Sequence, residues 1–209
     1  TELASLGHEV HLFEASGEIG GQFNMAKRIP GKEEFHETLR YFGKMIEKHG
    51  VTLHLNTKVD APYLIENQFS EVVLCTGVAP RTPKIEGIEH PKVLSYQEVL
   101  LQGKAVGKTV AIIGAGGIGF DVAAFLTHSS DDLKSSDESS IAHYQSEWGI
   151  DPQYGQRGGV IKPQAEHPPR QVWLLQRSKG KVGERLGKTT GWAHRMTLKS
   201  RNVQMMNEV

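Results

Sequence analysis

An α/β fold with parallel sheets is what this sequence predicts, and three observations predict it. Apolar runs of strand length alternate with stretches of helical spacing along most of the chain. Several of those runs are continuously apolar, the pattern of strands buried on both faces. A glycine-rich turn at residues 114–119 joins one such run directly to an apolar helix.

Taken in order, residues 1–6 read as the last turns of a helix, Gly7 suits a left-handed position after its end, and residues 10–14 read as a strand. From residue 32 to 49, Phe35, Leu39, Phe42 and Ile46 recur at helical spacing and Gly50 closes the helix. Residues 51–55 follow as a strand. Residues 71–77 form a short apolar run ending in glycine, expected to be a strand buried in a parallel sheet with Cys75 an inert core residue. Pro80, Pro83 and Pro91 mark residues 78–108 as a connection, within which Ser95 and Glu98 have the spacing of a capping box that opens a helix through Leu101.

A second α/β unit starts near Gly107, with a strand at 109–113, its helix at 118–127, a strand at 171–176, a helix at 188–201 and a strand over 202–206. The stretch from 128 to 170 breaks this rhythm. Of its 43 residues, seven are Ser, four Pro and four Gly, which argues against one regular element, although Ile141, Tyr144 and Trp148 are spaced for one short packed helix. Trp173 is expected to pack in a central strand. The plan is thus two domains, residues 1–104 and 105–209, the second with a long insertion at 128–170. The chain is expected to be the interior of a longer polypeptide, both units being incomplete.

Composition limits what the chain does. With 38% hydrophobic and 23% charged residues it is an ordinary globular sequence, and 24 Lys plus Arg against 24 Asp plus Glu leave no field to draw it to nucleic acid or an anionic membrane. No apolar run approaches the ~18 residues of a membrane span, no signal peptide is visible, and the cytoplasm is the expected compartment. Cys75 is the one cysteine, so no internal disulfide or cysteine-ligated cluster forms within the chain. The histidines include no His-x-x-x-His pair, and no metal site is expected.

The chemistry sits in the glycine turn. In a G-x-G-x-x-G loop between strand and helix, Gly114 allows the tight turn, Gly116 lets the backbone approach a pyrophosphate and Gly119 lets helix and strand pack closely. Gly117 and Ile118 open the helix whose free N–H groups and dipole favour an anion. These features make the fold two Rossmann-like dinucleotide-binding units. An NAD site places an acid at the end of the second strand; here that strand ends at Gln176 and is followed by Arg177, Ser178 and Lys179. Either these residues grip a ribose phosphate, as NADPH requires, or they form a solvated basic turn. Glu14, ending the first strand, is either an exposed carboxylate or the ribose ligand of a flavin nucleotide, with Gly21, Gln22 and Arg28 supplying backbone and a cation beside it.

The runs Glu14-Ala15, IGGQFN at 19–24, RIPGKEEF at 28–35, PRTP at 80–83, VLSY at 93–96, IIGAGGIGFD at 112–121, EWGID at 147–151 and GKTTGW at 187–192 closely resemble the bacterial NADPH-dependent 2,4-dienoyl-CoA reductases. The resemblance covers nearly the whole chain, and its last two runs are the most particular. It implies a larger polypeptide in which a barrel carries FMN and the dienoyl-CoA site, cysteines beyond the barrel hold a 4Fe-4S cluster, and an NADPH domain is inserted into an FAD domain. This chain would supply parts of the last two, its partners being NADPH and the remaining domains. Val59, Thr76 and Gly77 join the candidate FAD residues on the same ground, while the catalytic residues would lie elsewhere. By itself the chain is then expected to hold FAD weakly and to reduce no dienoyl-CoA. Trimethylamine dehydrogenase and enoate reductases share this plan, so another NAD(P)H:flavin oxidoreductase stays an alternative, as does a dinucleotide-binding module with no chemistry of its own.

Overall fold

The structure is a computed structural model that describes residues 1–129, 138–164 and 167–209. Two compact units compose it, Thr1–Leu94 and Ser95–Val209. The α/β class and its parallel sheets are as expected.

In the first unit, helix α1 (Glu2–Ser5) ends before Gly7, whose φ of 93° turns the chain into strand β1 (His11–Phe13). β1 pairs in parallel with β2 (Thr52–His54), Leu12 standing opposite Leu53. Helix α2 (Phe23–Ala26) follows the double glycine, and α3 (Phe35–Lys48) carries the apolar stripe read from the sequence and stops before Gly50, with φ 65°. A further short helix, α4 (Ala61–Glu66), is capped by the Asp60 carboxylate, which accepts the Tyr63 N–H at 3.0 Å.

The two faces of β1 differ as the alternation of strand side chains requires. His11 and Phe13 stack with His54, with ring centroids 5.3 and 4.5 Å apart, and Phe69 closes edge-on over both, 5.5 and 5.8 Å away. Leu12 faces the other way, toward an apolar cleft of about 260 Å³ that Ile19, Phe23, Leu39, Phe42 and Ile46 also line.

The expected strand at residues 71–77 does not form: the segment is irregular, and Val73 and Leu74 are 71% and 79% exposed. Cys75 is exposed with them, not in a core. An apolar run becomes a strand only where a neighbouring strand accepts its backbone groups. No described strand pairs with this one.

The second unit opens on α5 (Tyr96–Leu100), whose capping box is present in both directions: Glu98 N–H donates to Ser95 Oγ and Ser95 N–H to the Glu98 carboxylate. Its buried Val99 and Leu100 face α6 (Gly117–Thr127). Strands β3 (Thr109–Ile113), β4 (Gln171–Gln176) and β5 (Gln204–Asn207) form a parallel sheet in that order. β4 is central, with Val172 and Leu174 at 1% and 0% exposure. Phe120, Ala123 and Leu126 of α6 and Leu198 of α8 (Gly191–Ser200) complete the core. Each large apolar side chain so buried contributes roughly 1.5–3 kcal/mol. Trp173 is half-buried on the other face.

The insertion contains the short helix its spacing predicts, α7 (Glu138–Trp148); residues 130–137 and 165–166 lie outside the described residues. Ile141 and Tyr144 are exposed, so the helix is not held by the face its spacing marks out. A loop follows, closed by the Ile150–Val160 bridge and by the Asp151 carboxylate, which accepts the Gln153 and Gln156 N–H groups. Because α6 runs back along strands that point the other way, its C-terminus lies at the sheet edge opposite the glycine turn. Arg170, at the start of β4, donates to the Leu126 carbonyl at that edge. The insertion therefore leaves and rejoins the sheet far from the strand ends that carry the glycines.

Candidate functional site

At the end of β3 the chain turns at Gly114, whose φ of 112° suits glycine and whose N–H donates to the Leu175 carbonyl at 2.9 Å. Gly116 then caps α6 with no side chain bonded to the helix end. The first N–H groups of a helix have no partner four residues back, so this end is left to an anion. The glycines divide the work. A Cβ on Gly119 would lie 1.8 Å from the Gly114 carbonyl oxygen and 3.3 Å from Leu174 Cδ1, so helix and strand touch only because it is glycine. A Cβ on Gly116 or Gly117 would meet nothing within 4 Å, so these two border open space in front of the helix end. Ile118 and Ile113, 52% and 60% exposed, add apolar surface to the same edge.

The residues after β4 lie at this strand edge as well. Arg177 is exposed and has no hydrogen bond or ion pair with a described residue. Ser178 is exposed, its carbonyl accepting from Gln176 Nε2, and Lys179 reaches Glu208 at 3.8 Å. Lys179 thus has a carboxylate beside it, and Arg177 has its donors free.

In the first unit, Glu14 extends the ladder: its N–H donates to the His54 carbonyl and its own carbonyl accepts from Thr57. One oxygen of its half-buried carboxylate accepts the Ser16 N–H at 2.7 Å. Gly20 and Gly21 both have positive φ, 120° and 49°; a Cβ on Gly20 would press on Leu39 and Asn24, whereas one on Gly21 would meet nothing within 4 Å. Gln22 and Arg28 are exposed and Val59 is half-buried. Thr76 and Gly77 lie in the exposed irregular segment and are not drawn into a formed pocket.

A cation the sequence did not single out sits deeper here than Arg28. The Lys27 side chain is 14% exposed, donates to Asn24 Oδ1 at 2.8 Å and faces Glu18 at 3.6 Å. Asn24, 5% exposed, in turn donates to the Ile19 carbonyl and so shapes the glycine turn. Only its place beside the double glycine could have marked it.

Among the described residues the clear perturbation of acidity lies at Glu98. Its hydrogen bond from Lys104, with those from Ser95, lowers its pKa from 4.5 to about 2. This carboxylate serves the α5 cap. Among the described residues no group of three or more His, Cys, Asp and Glu could hold a metal ion, and no helix is long and apolar enough to cross a membrane.

The second unit fits a pyridine nucleotide, because the open space at Gly116 and Gly117 faces an uncapped helix end and a cation with free donors follows β4. The first unit fits the ribose of FAD through Glu14, whose second oxygen stays available.

Residues 1–208 match the family described as pyridine nucleotide-disulphide oxidoreductase. The chain is 32% identical to a metal reductase of Desulforamulus reducens over 127 residues, which is 59% of this chain and 19% of the relative. It is 34% identical over 125 residues to a cinnamate reductase of Clostridium sporogenes, covering 57% of this chain and 18% of that one. The chain therefore spans about a fifth of the length of these relatives. A solved 2-naphthoyl-CoA reductase superimposes on 99% of this chain and 25% of its own, with a TM-score of 0.73 at 24% identity, a likeness of fold.

Proposed function

Because the chain belongs to the pyridine nucleotide-disulphide oxidoreductase family, we propose that it is the nucleotide-handling part of a flavoprotein reductase that takes hydride from NADPH to FAD. Gly116, Gly117 and the N–H groups at the start of α6 would hold the nucleotide pyrophosphate, and Arg177 would hold the ribose phosphate. Glu14 would hold the FAD ribose, Gly21, Gln22, Arg28 and Val59 standing along the same unit. When bound, NADPH supplies the hydride and FAD accepts it; the chain's own residues would position the two nucleotides and match their charge. One observation carries the reading: Arg177, with no partner among the described residues, follows the second strand of a unit whose helix end is open to phosphate.

For the whole polypeptide we propose reduction of a 2,4-dienoyl-CoA, with FMN and a 4Fe-4S cluster in domains outside this chain. The EWGID and GKTTGW runs support that substrate, and the cinnamate reductase among its relatives carries a name of the same kind, the reduction of a conjugated acid. A second reading, another NAD(P)H:flavin oxidoreductase of this architecture, is favoured by the metal reductase among the relatives. A binding module without chemistry is the third.

The test is the full-length polypeptide containing this chain, purified and assayed for NADPH and NADH oxidation with a dienoyl-CoA, cinnamate and a ferric chelate as acceptors. NADPH oxidation fastest with the dienoyl-CoA supports the first reading. A different preferred acceptor gives the second, and loss of all oxidation with retained nucleotide binding gives the third.

A further inference from the structure

We infer that Asn24, held in one orientation by Lys27, is a positioning residue for FAD: it fixes the Gly20–Gly21 turn relative to Glu14, so that both meet one ligand together. This rests on the flavin reading above. Asn24 is buried at 5% exposure, and Lys27, although a lysine, keeps only 14% of its side chain exposed. Burying an amide and an ammonium side by side is costly unless each polar atom finds a partner. Here the partners all belong to one loop.

The turn has a closed side and an open one. A Cβ on Gly20 would lie 2.6 Å from Leu39 Cδ2 and 3.1 Å from Asn24 Nδ2, so the amide lies directly against the glycine. Gly21 and Gln22 are exposed, and a Cβ on Gly21 would meet nothing within 4 Å. From Glu14 the loop is tied at successive points. The Glu14 carboxylate accepts the Ser16 N–H, Ser16 Oγ donates to the Glu18 carbonyl, and Asn24 Nδ2 donates to the Ile19 carbonyl at 3.1 Å. These bonds run from the candidate ribose ligand to the underside of the double glycine.

Lys27 decides which way the amide points. The Ile19 carbonyl can only accept and the Lys27 ammonium can only donate, so one orientation of Asn24 satisfies both. Without the ammonium the amide can rotate and set its oxygen against the Ile19 carbonyl, and the turn loses its anchor. Glu18, 3.6 Å from Lys27 and mostly exposed, balances the charge without adding a contact to the turn. Pre-placing the loop spares FAD the entropy of ordering two glycines on binding, since glycine has the most backbone freedom to lose.

The experiment uses the full-length polypeptide containing this chain, stripped of flavin and titrated with FAD by fluorescence, its melting temperature being read without FAD. Lys27→Met should weaken FAD about tenfold, the loss of one well-made hydrogen bond, with the melting temperature unchanged, and Lys27→Arg should recover part of the affinity. Asn24→Asp, which keeps the shape and the Lys27 partner but has no donor for Ile19, should weaken FAD at least as much. Because both act on one placement, Lys27→Met and Glu14→Gln together should cost less than the product of their separate losses. Unchanged FAD affinity in Lys27→Met and Asn24→Asp would overturn the inference. So would losses that multiply fully with Glu14→Gln, or that come with a matching fall in melting temperature, since either makes the contact merely structural. A parent that binds no FAD would overturn the flavin reading itself, which separates the two failures.

Discussion

Arg201, 2% exposed at the end of α8, pairs with Glu147 of the insertion helix at 2.8 Å and also donates to the Thr127 carbonyl at 3.0 Å. One guanidinium thus bonds to the C-terminal end of α6 and ties α7 to the sheet edge away from the glycine turn. This explains how a helix with exposed Ile141 and Tyr144 is nevertheless held.

Glu147→Gln takes the Glu147 carboxylate away from the buried Arg201 guanidinium, and breaking a buried pair in this way costs about 3 kcal/mol. Urea unfolding followed by circular dichroism should show that loss. Nucleotide affinity, read at the opposite sheet edge, should stay unchanged in the folded protein.

The glycines of the turn should separate under substitution. Gly119→Ala forces a methyl into the Gly114 carbonyl and should destabilise the second unit by about 2 kcal/mol or more. Gly116→Ala adds its methyl to open space, so its melting temperature should hold while NADPH affinity falls about tenfold. Melting curves paired with nucleotide titrations read both.

Arg177→Ala should weaken NADPH by roughly 10- to 150-fold and leave NADH nearly unchanged, since a charge-assisted hydrogen bond is worth about 1.5–3 kcal/mol. The preference should shrink as salt rises, because the side chain is exposed and screened. Equal losses for both nucleotides would mean that Arg177 does not read the phosphate.

Glu98 sets an acid limit on α5. Its pKa is lowered in the folded chain, so its ionised form stabilises the fold above its ordinary value of 4.5, and that contribution disappears as pH falls toward about 2. Lys104→Met, removing the largest cause, should raise the pKa. A carboxyl ¹³C NMR titration of Glu98 in both proteins checks the direction.

Cys75, exposed in the folded chain, should react with a thiol reagent under native conditions at a rate close to that in urea. Strong native protection would contradict its placement.

Much of this protein is legible in its sequence. Strand β3 at 109–113, β4 at 171–176, the capping box at Ser95 and Glu98, and the glycine turn follow from local pattern, because each depends on residues adjacent along the chain: a period, a cap, a φ. The place of Arg177 directly after β4 was also local, since it depends only on where that strand ends. What needs distant partners was not legible. Residues 71–77 have the composition of a buried strand, yet lie exposed, since pairing depends on a neighbouring strand and not on the run itself. Lys27 could not be ranked above Arg28, nor could Arg201 be seen to bind Glu147 across 54 positions, nor Arg195 to hold Gly183 against Phe120. Burial and hydrogen bonding between residues far apart in the chain are set by tertiary packing, which composition and spacing do not encode residue by residue.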